Sequence, residues 1–263
     1  MGSLIAIANQ KGGVGKTTTA INLSASLAAA DCRVLVVDCD PQANATSGLG
    51  FSSTPDRPTV YDLLTSDLPA SEARISTNVA NLDLIPSSRH LAGANIELVG
   101  VEHREHRLQA KLDPLKSEYH FLILDCPPAL DLLTLNALVA ADSVLIPIQC
   151  EYFALEGVSA LLETVEAVKS AWNPALRIEG VLLTMLNDRT TLSRQVAQDL
   201  REFFPEEVFH TTIPRNVRLA EAPSHGAPIL QYDLRSRGAD SYLSLAREIL
   251  SHREQKTSTH ATS

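Results

Sequence analysis

Cysteine is scarce in this chain: there are four residues, Cys32, Cys39, Cys126 and Cys150, and no two of them form a CxxC pair. That spacing excludes a zinc ribbon and a disulfide framework, and leaves buried free thiols as the expected state. The eight histidines are equally scattered, and His103 and His106 fall in a charged, helical stretch that reads as a solvated face. Positive charge is also short. With 22 Lys and Arg against 31 Asp and Glu the net charge is -9, so any nucleic-acid contact has to come from a local patch. Long hydrophobic runs are missing, and nothing approaches the roughly 20 apolar residues of a membrane span. The opening MGSLIAIA has no basic region and too short an apolar run for a secretory leader, and Ala6 stands where a myristoylation motif requires Ser or Thr. A cytoplasmic protein is expected.

What is present is apolar sequence in short bursts. Hydrophobic residues make up 44% of 263, ample for a core. They cluster in LIAIA (4–8), RVLVVD (33–38), LDLIP (82–86), HFLILD (120–125), SVLIPI (143–148) and IEGVLLTML (178–186). These runs do not alternate with polar residues, as befits strands covered on both faces. Helical patterns such as TTTAINLSASLAAA and ALEGVSALLETVEAVKSAW lie between them, so the expectation is an α/β, doubly wound, mostly parallel sheet flanked by helices. No linker or internal repeat interrupts the pattern. A single domain over residues 1–250 is expected, with a polar flexible tail at 251–263. Residues 42–60, rich in Ser, Thr, Gly and Pro, read as a long surface loop. Tyr242, Leu243, Ala246, Ile249 and Leu250 have the spacing of a helix packed on the core.

After the first strand comes QKGGVGKTT, residues 10–18. A phosphate-binding Walker A loop reads GxxxxGK[ST]; Gly15, Lys16 and Thr17 match its end, while Gln10 replaces its opening glycine. The mechanics survive that deviation. Gly12, Gly13 and Gly15 let backbone N–H groups turn toward phosphate oxygens, and a helix starting at Lys16 aims its positive dipole end at them. Lys16 would contact the β and γ phosphates, Thr17 would offer its hydroxyl to Mg²⁺, and Thr18 stands beside it in the first turn. LILDCPP places Asp125 at the carboxyl end of a buried strand, where a Walker B carboxylate holds the magnesium shell. VVDCDPQAN ends another strand with Asp38 and Asp40 projecting to one face; Asp40 is the better candidate to orient an attacking water or join the magnesium shell. Lys11, a second lysine before the paired glycines, has no role in a one-chain phosphate loop.

Together KGGVGKTTT, VDCDPQANATSGLG, LILDCPP, CEYFALEGV, GVLLTML and IPRNVRLAEAPSHG resemble the ParA family of partition ATPases, of the short chromosomal Soj type, from about residue 3 to about residue 250. The resemblance implies a P-loop ATPase of the deviant Walker A kind, with ATP and Mg²⁺ as cofactors. It also implies that Lys11 reaches across a nucleotide sandwich to the phosphates of a partner subunit, forming an ATP-dependent homodimer. Pro214 and Asn216 of IPRN would lie near the adenine; a GTPase-type NKxD is absent. Arg189 and Arg218 match positions that bind the DNA backbone, and Arg215 lies beside them. Arg215, Arg218, Arg235 and Arg237 face only Glu221 and Asp233 between residues 208 and 238, so the local charge opposes the global sign. Sequence-independent double-stranded DNA, a ParB-type centromere-binding partner that stimulates hydrolysis, no membrane, and a place on the nucleoid complete the expectation. Two competitors make different demands. A membrane-bound MinD-like ATPase needs a basic amphipathic tail, which HREQKTSTHATS is not, and an iron-sulfur reductase of the nitrogenase iron-protein type needs cysteines in exposed loops.

Overall fold

Strand and helix alternate along the chain because apolar runs bounded by turn residues alternate with helical patterns, and the computed structural model, which describes residues 2–52, 54, 56–151, 154–187 and 190–260, shows each expected strand. They are β1 (Ser3–Ile7), β2 (Val34–Asp38), β4 (Leu82–Ile85), β5 (Phe121–Asp125), β6 (Ser143–Gln149) and β7 (Arg177–Thr184). The addition is β3 (Ile75–Ser76), antiparallel to β4 at the sheet edge. Two residues are too few for a periodic signal, and only pairing to β4 defines them. The order across the sheet is β3-β4-β2-β5-β1-β6-β7, with every other pair parallel.

Alternation along β1 and Ala8 just after it shows why both sheet faces had to be apolar. Leu4, Ala6 and Ala8 join Leu35 and Val37 in one core, while Ile5 and Ile7 join Val34 and Val36 in the other. The second core is closed by α1 (Lys16–Ala29) and the C-terminal helix Arg237–His260, which carries buried Tyr242, Leu245, Ala246 and Ile249. Leu133, Ala137 and Leu138 of the helix Leu132–Ala140 and Leu161, Val165 and Val168 of the helix Ala154–Ala171 close the first. Parallel connections leave the carboxyl ends of β1, β2 and β5 level, with Ile7 opposite Asp125 and Asp125 opposite Asp38. That edge is where ligands bind in open α/β sheets.

Two expectations need revision. Residues 42–60 are not a surface loop throughout: α2 (Asn44–Gly48) interrupts them, with Ala45, Thr46, Gly48 and Leu49 buried, and Thr59 is buried as the cap of the helix Val60–Thr65. Small polar residues are read as loop because they lack an apolar face, but here their hydroxyls and backbone are satisfied internally. The loop character survives around Gly50, whose positive φ of 87° sets it against Gly226, φ 62°, so closely that a Cβ on either would collide with the other's backbone. The last helix also continues beyond residue 250 to His260. Arg253 explains part of the extension: its guanidinium lies 4.4 Å from the Phe121 ring centroid and donates to the His120 carbonyl at 3.4 Å. Residues 261–263 lie outside the described residues. No helix is long and apolar enough to cross a membrane among the described residues. Three cysteines are buried as expected, but Cys32 is only half-buried.

Candidate functional site

Gly13 (φ 76°) and Gly15 (φ 93°) adopt the left-handed conformation, which bends the chain out of β1 and into α1. Gly12 is different, since a Cβ there would meet nothing within 4 Å. The fold of one chain does not require that glycine. The loop is fixed from both sides: Asn9 donates through Nδ2 to the Pro147 carbonyl at 2.7 Å and accepts from Lys11 N at 3.0 Å, while Thr184 Oγ1 donates to the Val14 carbonyl at 2.8 Å. Asn9 and Thr184 are contacts that motif reading missed, because their partners are remote in sequence.

The cleft above the loop encloses about 650 Å³, within the usual range for a small-molecule site. Gly12, Gly13, Gly15, Lys16, Thr17, Thr18, Asp40, Pro214, Arg215 and Asn216 all line it. So does Met185, a non-glycine residue held at positive φ (49°) just after β7. Asp125 lies beneath this lining, wholly buried, and Lys11 stands outside it.

Lys16 is 7% exposed and curls inward, its Nζ donating to the Lys11 carbonyl at 3.1 Å. Burial lowers its pKa, while Asp125, Cys126 and Asp40 favour its charged form. Asp125 lies in an unusual state for a buried carboxyl, because neither oxygen has a hydrogen-bond partner of good geometry among the described residues. Burial and then neighbouring Asp38 push its pKa well up, with Thr17 and Lys16 opposing them. An orphaned carboxyl beside a hydroxyl and a lysine, below a row of backbone N–H groups, suits a hydrated divalent cation and an anionic ligand bound together. Among the described residues no three His, Cys, Asp or Glu side chains come together as a metal cage. A magnesium shell does not need one, since it takes one or two carboxylates and completes itself with water and phosphate.

The unpaired state of Asp125 has a measurable cost. A carboxyl whose pKa is raised in the fold favours the native state below its unfolded value and loses that contribution as pH rises toward the folded one. Asp125→Asn removes the cost of ionisation, so the ligand-free variant should be more stable at neutral pH, by roughly 1–3 kcal/mol. The advantage should shrink in acid. Thermal melts of wild type and variant between pH 4 and 8 check this, and equal melting temperatures at pH 7.5 would contradict it.

Asp38 and Asp40, which share a face by spacing, end in different environments. Asp38 is fully buried and accepts from Thr46 N at 2.8 Å, Thr46 Oγ1 at 2.7 Å and Asp40 N at 3.2 Å. Burial pushes its pKa up to about 6 against those hydrogen bonds. Asp40 reaches the cleft and accepts from Gln42 N at 2.9 Å. The structure therefore separates an internal brace from a carboxylate available to a ligand.

Lys11 extends the other way, its Nζ 3.4 Å from Glu151 Oε2, with both side chains substantially exposed. Asn216 caps the helix Val217–Glu221 by accepting from Arg218 N at 2.8 Å, which leaves its amide N–H groups as the donors for a ligand. Arg218 is exposed but committed to Glu221 at 2.9 Å and Asp233 at 3.6 Å. Arg215, Arg235 and Arg237 are exposed and form no ion pair among the described residues, whereas Arg189 lies outside them. Cys39 and Cys126 are buried beneath the loop at 2% and 1% exposure, not displayed in exposed loops as a shared cluster would require.

The sequence model described as an AAA domain matches residues 2–178. The sporulation initiation inhibitor protein Soj of Bacillus subtilis is 57% identical over 249 residues, covering 95% of this chain and 98% of that protein. The chromosome partitioning protein ParA of Myxococcus xanthus is 53% identical over 250 residues, covering 95% and 88%. Among solved structures, a cobyrinic acid a,c-diamide synthase from Mycobacterium smegmatis with bound ATP analog and magnesium superposes with a TM-score of 0.85 at 36% identity, covering 97% of this chain and 96% of that one. A deviant phosphate loop with its lysine, facing carboxylates from two neighbouring strands, and likeness to Soj and ParA along almost the whole chain lead to one conclusion: this protein belongs to the ParA/Soj family of chromosome-partitioning ATPases.

Proposed function

We propose that this ATPase works in DNA segregation as an ATP-dependent sandwich dimer that binds double-stranded DNA without sequence preference and is released after hydrolysis stimulated by a ParB-type partner. The observation that carries the reading is the cleft floor, where buried Lys16 and unpartnered Asp125 meet under the phosphate loop. The M. smegmatis relative, bound to an ATP analog and magnesium, supports the same ligands here. Magnesium would neutralise charge between the terminal phosphates, with Thr17, Asp40 and Asp125 as the residues of its shell. Lys16 binds the β and γ phosphates and the N–H groups of Gly13 and Gly15 cradle them. Pro214 and Asn216 would lie near the adenine base, where the Asn216 amide N–H groups are the donors left for a ligand. Asp40 orients water for the chemical step. Lys11 reaches the phosphates of the second subunit, and Gly12, which this chain's own packing leaves free to be larger, gives that subunit room to approach.

For DNA the contact set is Arg189, Arg215 and Arg218, on the nucleoid in the cytoplasm. Arg218 must exchange Glu221 and Asp233 for phosphate, an inexpensive exchange because exposed ion pairs contribute about 0–1 kcal/mol. In a two-fold dimer each substitution removes two contacts. With the dimer held by a non-hydrolysable ATP analogue, Arg218→Ala should flatten the log-log salt dependence of DNA affinity by about 1.8 units, alike on all sequences. Binding should require ATP rather than ADP. An unchanged slope, or a loss confined to one sequence, would contradict the backbone contact.

A further inference from the structure

Asp40 is held by more than its place at the end of a strand. Its N–H donates to Asp38 Oδ1 at 3.2 Å, and its carbonyl accepts from the Ser87 hydroxyl at 2.7 Å and from Ala43 N at 2.9 Å. Thr46 joins the two supports: its hydroxyl donates to Asp38 Oδ2 at 2.7 Å and accepts from Ser87 N at 2.9 Å. Asp38, Thr46 and Ser87 are at most 1% exposed, and none lines the cleft. They come from three separate segments, the end of β2, the turn α2 and the residue pair after β4. A polar cluster with its bonds satisfied is a stiff unit in a low-dielectric interior. Both backbone polar groups of Asp40 are attached to it, so the cluster fixes the origin from which the Asp40 carboxylate projects.

We infer that Thr46 and Ser87 are positioning residues for hydrolysis: the Ser87 hydroxyl holds the Asp40 carbonyl directly, the Thr46 hydroxyl holds Asp38 and Ser87 in place behind it, and together they set where the Asp40 carboxylate meets the attacking water. The inference rests on the hydrolytic role assigned to Asp40 above. Neither residue lines the cleft, and the phosphate loop that supplies affinity is held separately by Asn9 and Thr184. Loss of the clamp should therefore lower kcat and spare binding, since a small displacement of a catalytic group costs rate steeply.

The test uses the full chain with Mg-ATP and compares wild type, Thr46→Val, Thr46→Ser, Ser87→Ala, Asp40→Ala and the double variant Thr46→Val/Asp40→Ala. Valine keeps the shape and the backbone bond to Asp38 but removes the hydroxyl, and Ser87→Ala serves if that variant does not fold. The expected result is a fall in kcat of about tenfold for Thr46→Val and for Ser87→Ala, ATP affinity within about twofold of wild type, and recovery in Thr46→Ser. The double variant should be no slower than Asp40→Ala, because the clamp acts through that carboxylate. Lowered melting temperature with wild-type kcat, or an equal loss of rate in the Asp40→Ala background, would overturn the inference while the role of Asp40 stands. If Asp40→Ala hydrolyses ATP at the wild-type rate, the role of Asp40 fails and the clamp with it.

Discussion

Lys16→Ala is expected to abolish productive binding of Mg-ATP. The ammonium group is buried, favoured in its charged form by Asp125 and Asp40 nearby, and its bond to the Lys11 carbonyl is one it can exchange for phosphate without leaving the cleft. Truncation removes the point charge for the β and γ phosphates and also strips Asp125 of a nearby cation. Truncating the lysine's side of a buried lysine–phosphate pair costs about 2–5 kcal/mol, roughly 1.5 to almost four decades in affinity. Replacement by arginine should not restore binding, because a planar guanidinium needs width where the ammonium acts as a point charge. Titration calorimetry decides the matter: a dissociation constant within threefold of wild type would refute the assignment.

Lys11→Ala should produce the second large effect, and on a different equilibrium. In the single chain Lys11 pairs with Glu151 across two surface loops at 3.4 Å, with side-chain exposures of 37% and 51%. Such a pair contributes about 0–1 kcal/mol, so the variant should fold and bind nucleotide as a monomer much as wild type does. A lysine donating to phosphate inside a dry interface is another matter: truncating one partner of a buried charge pair costs about 2–5 kcal/mol. Two-fold symmetry repeats that loss, so dimer affinity should fall by three decades or more. Sedimentation with a non-hydrolysable ATP analogue should show monomers where wild type dimerises, and an unimpaired dimer would sink the cross-subunit role.

Much of the cleft was legible without coordinates. Lys16, Thr17, Thr18, Asp40, Pro214 and Asn216 come from three stretches distant in sequence, and all reach one cleft. Two of the stretches carry a local reason, glycines that permit positive φ before a helix start and a carboxylate at the end of an apolar run, whereas Pro214 and Asn216 were expected only from the family resemblance. Thr184, Met185, Asn9 and Gln42 carried no such signal. Thr184 reads as the end of a strand, and nothing near it in sequence indicates a hydroxyl aimed at the Val14 carbonyl. The arginines were only partly legible, because local charge counts do not say which carboxylate an arginine meets; Arg218 meets Glu221 and Asp233, while Arg215, Arg235 and Arg237 stay unpaired among the described residues.

The amino-acid sequence by itself determined every strand but β3, the phosphate loop and the alternation that makes a doubly wound sheet. Those features depend on residues within a few positions of one another: runs of Val, Ile and Leu that need cover on both faces, and glycines at the turns. Only the tertiary structure decided that Asp38 braces while Asp40 faces the cleft, since the hydroxyls that claim Asp38 come from Thr46, eight residues on, itself held by Ser87, 41 residues further along the chain. It likewise turned part of a polar stretch into α2, lengthened the last helix over Phe121, and left Asp125 unpaired under Lys16. The reason is common to all of them: whether a polar group is buried, satisfied or left available depends on partners that the fold alone brings within hydrogen-bonding distance.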